Sequence, residues 1–269
     1  MQGRRNEPPA PRGAVAVIEL NLIGIGTGNP DHLTLQAVRA MNDADLILLP
    51  RKSSAKSDLL DLRRGICDAV LTRPVRIAEF DLPTRDAQGE YLGAVNAWHD
   101  AIADVWAEQI ALHLPDGGRL ALLVWGDPSL YDSTLRITER LRRGGLEIDL
   151  RVVPGITSIQ ALTAAHRIPL NKLARPVTIT TGRLLRDHGW PEGADTLVVM
   201  LDPACAFEGL ADQSIRIWWG AYLGMPNEAL VSGLLAEAGP VIAELKPRLR
   251  RENGWVMDVY LLRRGPAEV

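Results

Sequence analysis

The chain has 269 residues, enough for one large or two medium domains around a substantial core. With 46% hydrophobic and 23% charged residues it reads as an ordinary soluble globular protein, and a net charge of −3 offers nothing to nucleic acid or an anionic membrane surface. Cys67 and Cys205 stand far apart, the five histidines form no short-spaced ligand set, and no apolar run has the length of a membrane span.

That cysteine usage suits a reducing cytoplasm, with both thiols as small buried hydrophobes and no metal site. Residues 1–13 are polar and rich in Pro and Arg, without the apolar centre of a signal peptide, so a disordered tail is expected over residues 1–15. A β-prone run from Ala14 to Ile23 then enters Gly24-Ile25-Gly26-Thr27-Gly28, and a helical spacing follows through Leu33, Ala37, Val38 and Met41. The G-x-G-x-G spacing misses the dinucleotide fingerprint because Asn29 holds the third glycine's place. The next strand, Asp45 to Leu49, ends in Pro50-Arg51-Lys52 rather than in an acidic residue, which further weakens a nicotinamide reading.

A helix is predicted over 58–70, a strand over 74–80, a loop over 81–89 and a long helix over 91–114. In the last, Val95, Trp98, Ile102, Val105, Trp106 and Ile110 form a stripe that reads as core packing. The apolar run Leu120 to Trp125 reads as a strand buried on both faces, and it stops at Gly126-Asp127-Pro128. Gly126 permits a positive φ or a close approach, and Pro128 holds Asp127 extended. The order βαβαβαβ marks a doubly wound parallel sheet, whose ligands bind beyond the carboxyl ends of its strands.

A helix over 130–143 and a strand over 146–153 lead to Pro154-Gly155-Ile156-Thr157-Ser158 and a helix over 159–166. Thr157 and Ser158 stand either as helix caps or as donors to a ligand. In the last third, strands are predicted over 176–181, 196–201, 215–223, 230–235 and 255–262, with only short helical segments between them. The fold class is therefore α/β with two domains: a parallel doubly wound sheet over residues 16–127, then a mixed sheet with helices over 128–265.

Taken jointly and in order, these motifs resemble the tetrapyrrole methylase family of S-adenosylmethionine-dependent methyltransferases. The glycine loop 24–28 with Leu33-Thr34, the strand opening Ala44-Asp45-Leu46, Gly126-Asp127-Pro128, Val153-Pro154-Gly155-Ile156-Thr157-Ser158 and Val231-Ser232-Gly233-Leu234 carry the likeness. It spans about residue 17 to 263. Residues 26–34, 97–100, 125–133 and 219–228 carry a narrower match to cobalamin-pathway members that methylate C-1 of precorrin-5 and release acetate.

The resemblance implies two α/β domains with the donor in the cleft between them and a homodimer; the charge balance and the lack of a long apolar run already speak against a nucleic-acid or membrane partner. Donor contacts would come from Gly126, Asp127, Leu130, Thr157, Ser158, Met200, Leu201, Tyr222 and Gly233. The tetrapyrrole, precorrin-5, would meet Gly26 and Thr27. Its carboxylates call for basic side chains, for which Arg51 and Lys52 at a strand end are placed best. Asp31, His32, Tyr131 and Asp132 are the candidates for acid/base help in acetate release. Uroporphyrinogen-methylating relatives carry an aspartate where Pro50 stands and an arginine where Ser133 stands, so base chemistry at those positions does not transfer. Methylation at another precorrin position, a nicotinamide-dependent oxidoreductase and a non-catalytic tetrapyrrole binder are the alternative readings.

Overall fold

The structure, a computed structural model, describes residues 16–51, 58–85 and 91–265. The expected tail over 1–15, Lys52 and the end of the 81–89 loop lie outside those residues. Two five-stranded sheets form the molecule. The first contains β1 (Val17–Gly24), β2 (Leu46–Arg51), β3 (Arg76–Asp81), β4 (Gly118–Val124) and β5 (Glu147–Val153), in the order β3-β2-β4-β1-β5 and parallel throughout.

Its central strands β1, β2 and β4 are buried on both faces because helices cover both, whereas the edge strands β3 and β5 are more polar and exposed. Leu20, Leu22, Leu46, Leu48, Leu120 and Leu122 pack on α3 (Tyr91–His113) and α4 (Thr134–Arg143) through Ile102, Trp106, Ile110, Ile137 and Leu141. The alternate residues Ile23, Ile47, Leu49, Ala121 and Leu123 pack on α1 (Leu35–Asp43) and α2 (Asp58–Val70) through Ala37, Met41, Leu60, Ile66 and Cys67. The doubly wound sheet and the core role of Trp106 are thus as the sequence predicts. Connections leaving β1 and β4, which are adjacent, run toward opposite edges of the sheet. Their carboxyl ends therefore flank a crevice of the kind that holds ligands.

Three turns close that crevice. Ile25 and Gly26, just beyond β1, pair with Val124 at the end of β4 and Gly126 beyond it, with Gly126 N–H donating to the Gly26 carbonyl at 2.7 Å. Gly155, beyond β5, wedges between them: a Cβ there would stand 2.1 Å from the Gly126 oxygen and 2.8 Å from the Gly24 Cα. Gly126 has φ of +63°, the positive φ that the sequence reading allows for it.

The second sheet contains β6 (Val177–Thr181), β7 (Thr196–Met200), β8 (Arg216–Ala221), β9 (Ala229–Leu234) and β10 (Asp258–Arg263), in the order β6-β7-β10-β8-β9. Only β6 and β7 are parallel, so the sheet is mixed, as expected. One face packs on α7 (Leu235–Asn253) through Leu235, Ala238, Ile242 and Leu249. The other takes Ile159, Ala161 and Leu162 of α5 (Ser158–His166), the helix that leads from the first sheet toward the second. By sheet membership the chain crosses between Val153 and Val177, whereas the sequence reading sets the break at 127/128. The β4–α4–β5 unit is a parallel crossover that returns β5 to pair with β1.

Two sequence expectations are corrected here. The last third holds a 19-residue helix, α7, not short helical segments alone. Pro240 and Pro247 sit inside it seven residues apart and so share one side, leaving its apolar side to the sheet. Gly233 lies inside β9 opposite Ile217 rather than in a turn. No helix among the described residues is long and apolar enough to cross a membrane.

The glycine wedge makes a direct prediction. Gly155→Ala should cost ~3 kcal/mol of stability, the upper end for overpacking, because backbone rather than a flexible side chain must move. Denaturant unfolding of the variant checks this.

Candidate active site

A cavity of about 1110 Å³ opens where the carboxyl ends of β1, β4 and β5 face the ends of β7 and β8 and the start of β10. The first sheet supplies Gly26, Thr27, the segment from Trp125 to Asp127, Leu130, Tyr131, Asp132, Thr157 and Ser158. The second supplies Met200 to Cys205, Tyr222, Leu223 and the stretch from Trp255 to Val259, and α7 adds Lys246, Pro247 and Arg250.

Asp127 fixes the first wall. Its Oδ2 accepts the Gly155 N–H at 2.9 Å, and its Oδ1 accepts the Ser129 N–H at 2.8 Å and the Ser129 hydroxyl at 2.5 Å. Burial pushes this carboxyl's pKa up, but the donors from Ser129 and Gly155 outweigh it and hold it below the ordinary range. Thr157 is a helix cap: its Oγ1 accepts the Ile159 N–H at 3.2 Å and donates to Gln160 Oε1 at 2.5 Å, while its own N–H donates to the same Gln160 oxygen at 3.1 Å. Capping and cavity lining coincide in this residue. Thr27 ties the two sheets, since its hydroxyl donates to the Leu223 carbonyl at 2.7 Å. With that proton committed, Thr27 Oγ1 accepts from His32 Nδ1 at 2.9 Å, which leaves His32 Nε2 as the ring's other nitrogen.

The second wall is strained and held by charge. Leu201, Cys205 and Tyr222, all on the cavity, have φ between 52° and 54°, a conformation costing ~1–2 kcal/mol for each non-glycine residue. Beneath the loop from Leu201 to Cys205 lies a buried network. Asp202 accepts from Ala204 N at 3.1 Å, Ala206 N at 2.7 Å and the Tyr260 hydroxyl at 2.6 Å. Lys246 Nζ donates to the Asp202 carbonyl and to Asp258 Oδ2, the latter at 2.7 Å, and Trp219 Nε1 donates to the same Asp258 oxygen at 2.8 Å. Burial raises the Asp258 pKa although Lys246 and Trp219 pull it down. Cys205 lines the cavity, and burial lifts its thiol to about 11, so it is neither fully buried nor an activated nucleophile.

Comparison with known proteins bears on this geometry. Residues 19–239 match the tetrapyrrole (corrin/porphyrin) methylases. The chain belongs to the tetrapyrrole methylase family. A relative from Sinorhizobium sp, precorrin-6A synthase (deacetylating), is 47% identical over 91% of this methylase and 94% of its own length. A cobalamin-synthesis-related protein (CobF) of Corynebacterium diphtheriae is 41% identical, with a TM-score of 0.77 over 93% of this chain and 99% of that one. Uroporphyrin-III C-methyltransferase of Thermus thermophilus, solved with S-adenosylhomocysteine, shares the fold at 20% identity and a TM-score of 0.58.

Of the residues singled out from the methylase's sequence, Gly126, Asp127, Leu130, Thr157, Ser158, Met200, Leu201, Tyr222, Gly26, Thr27, Tyr131 and Asp132 all stand on the cavity wall. Gly233, the penultimate residue of β9, does not. Asp31 and His32, in the short 3₁₀ turn after the glycine loop, also lie off the wall. Arg51 points elsewhere: it pairs with Asp81 at 2.7 Å and Glu79 at 3.7 Å on the outer edge of the sheet. Sequence reading missed Asp202, Lys246 and Asp258. Their partners lie far apart in the chain, and no local spacing signals them.

Two outcomes follow. Since the folded pKa of Asp127 lies below its unfolded value, its stabilisation is complete above about pH 4 and is lost as pH falls below that. Asp127→Asn should therefore flatten the acid side of a melting-temperature series. Lys246→Met should cost about 3–5 kcal/mol in denaturant unfolding, because it leaves Asp258 buried and unpaired.

Proposed function

We propose that this chain is an S-adenosylmethionine-dependent methyltransferase of cobalamin biosynthesis that methylates C-1 of precorrin-5 and releases acetate to give precorrin-6A. The observation that carries the reading is the 47% identity to a precorrin-6A synthase (deacetylating) across nearly the whole of both chains. The cavity supports it. At about 1110 Å³ it exceeds the roughly 300–1,000 Å³ of an ordinary small-molecule pocket, as a site for both a donor and a macrocycle must.

S-adenosylmethionine would supply an electrophilic methyl group on a sulfonium. The residues fit such a donor: carbonyl-rich turns, small side chains and no cation at Gly126, Asp127, Thr157 and Ser158 suit a positive centre. Leu130 and the strand end Met200-Leu201 offer apolar surface for its nucleoside. Tyr222 contributes its backbone turn and ring, since its hydroxyl is committed to the Trp255 carbonyl. Gly26 and Thr27 line the substrate's side. The Thr27–Leu223 bond sets the spacing of the walls, and with it the approach of ring carbon to methyl, the positioning that lowers a displacement barrier most.

Acetate release requires water to add to the acetyl carbonyl while the ring carbon leaves with the bonding electrons. Tyr131 and Asp132 are the acid/base candidates on the wall. Burial raises the Tyr131 pKa, and its protonated hydroxyl donates to the Ile179 carbonyl over a long 3.4 Å, a bond a substrate oxygen would have to replace. Asp132 accepts from Thr134 N at 2.7 Å with one oxygen. The reading includes a homodimer, and a cytoplasmic setting in keeping with the unpaired Cys67 and Cys205.

Incubation with precorrin-5 and S-adenosylmethionine should yield a methylated ring by mass spectrometry together with an equal amount of acetate. With S-adenosylhomocysteine replacing the donor, acetate should be absent, because methylation first alters the electron demand of the ring. Acetate at the normal rate without donor would instead reveal an independent hydrolytic site. Methylation without acetate, or at another carbon, would reassign the substrate position.

A further inference from the structure

The substrate's carboxylates need cations, and Arg51 is already committed to Asp81 and Glu79. A different arginine stands beneath the central loop. Arg63, on α2, is only 9% exposed. Its Nε reaches the Leu123 carbonyl at 3.4 Å and its Nη1 the Leu59 carbonyl at 3.3 Å, both long for hydrogen bonds. Its guanidinium stacks on the Trp125 ring at 4.9 Å, and Trp125 lines the cavity.

What the guanidinium lacks is an anion. Among the described residues no carboxylate pairs with it, and Asp132, on the cavity wall, acts on it through charge alone. Burial draws its pKa down to about 10, so it stays cationic at neutral pH. Beside it, Trp125 Nε1 is buried without an acceptor. Arg63 itself is not on the cavity wall; it stands directly behind Trp125, and there donors outnumber acceptors. Lys246, the buried cation of the second wall, is by contrast paired with Asp258 and the Asp202 carbonyl. A buried charge without a partner costs free energy in the unliganded protein.

We propose that Arg63, with the Trp125 indole in front of it, receives a carboxylate of the substrate that reaches past Trp125 from the first-sheet side of the cleft. The proposal rests on the tetrapyrrole reading given above. A guanidinium is the side chain best shaped for a carboxylate, and Arg63 Nη2 makes no bond among the described residues. Trp125 immediately precedes Gly126-Asp127 in the chain. A carboxylate held here therefore fixes which edge of a flat, many-armed ring faces the donor turn. Arg63 would then select the ring position that is methylated, and Trp125 would give the macrocycle an aromatic surface.

The test uses the full chain, its Arg63→Met and Arg63→Lys variants, and uroporphyrin as a stable polycarboxylate tetrapyrrole followed by fluorescence anisotropy. Arg63→Met should weaken uroporphyrin binding and raise the KM for precorrin-5 by roughly 10–100-fold, as expected for a lost charged hydrogen bond. Arg63→Lys should recover part of this loss. S-adenosylhomocysteine affinity by calorimetry should stay within about twofold of the parent, since the donor turns are untouched. The unliganded Met variant should melt no lower than the parent, because it removes an uncompensated buried charge. Unchanged uroporphyrin affinity with a lowered melting temperature would make Arg63 a structural brace and overturn the proposal. A parent protein that binds S-adenosylhomocysteine but neither uroporphyrin nor precorrin-5 would overturn the substrate reading beneath it.

Discussion

The structure depends on how closely three backbone turns approach one another at the carboxyl end of the first sheet. A side chain on Gly24 or Gly155 would meet backbone atoms of the neighbouring turns, the Gly126 oxygen among them, well inside contact distance. The Asp127 carboxylate holds this arrangement by taking the Gly155 N–H with one oxygen and the Ser129 donors with the other. A β-carbon at the wedge would push β5 from β1, and the strand ends that frame the cleft would move with it. Close approach thus sets the geometry here, and the polar network confirms it.

The two walls reach rigidity by different means. The first is made of small residues and capped turns, in which backbone hydrogen bonds find partners nearby, as in the Thr157 capping box. The second carries left-handed backbone at Leu201, Cys205 and Tyr222 and would relax if left to itself. It is held by long-range ties: Asp202 to Tyr260, Lys246 to Asp258, and Asp258 to Trp219. Such a wall is set before any ligand arrives, which spares the ordering cost that a loose loop would incur on binding.

Much of the fold was legible because the parallel strands are continuous apolar runs and the turns between them carry Gly, Pro and Asp. Most of the cleft residues could be named from those same turns. What escaped has physical reasons. Pro240 and Pro247 read as helix breakers, yet α7 places them together on one side and buries Leu235, Ala238, Ile242 and Leu249 on another. Gly233 looks like a turn glycine but completes the ladder of β9 opposite Ile217. Arg51 follows a strand end that points at the site, yet Asp81, its register partner on β3, draws the side chain away. The buried trio of Asp202, Lys246 and Asp258 depends on pairings across 44 and 12 residues, and these leave no periodic trace.

The position of β10 has a consequence for how the protein comes into being. This strand comes last in the chain's element order, but it lies in the middle of its sheet, between β7 and β8, and it brings Asp258 and Val259 to the cleft. During synthesis the parallel sheet can form on the ribosome as its residues emerge, but β7 and β8 have no common partner until β10 leaves the exit tunnel. The site therefore cannot assemble piecemeal. Until β10 inserts, β7 and β8 keep unpaired edges, which is the state in which a sheet is most open to pairing with the wrong strand.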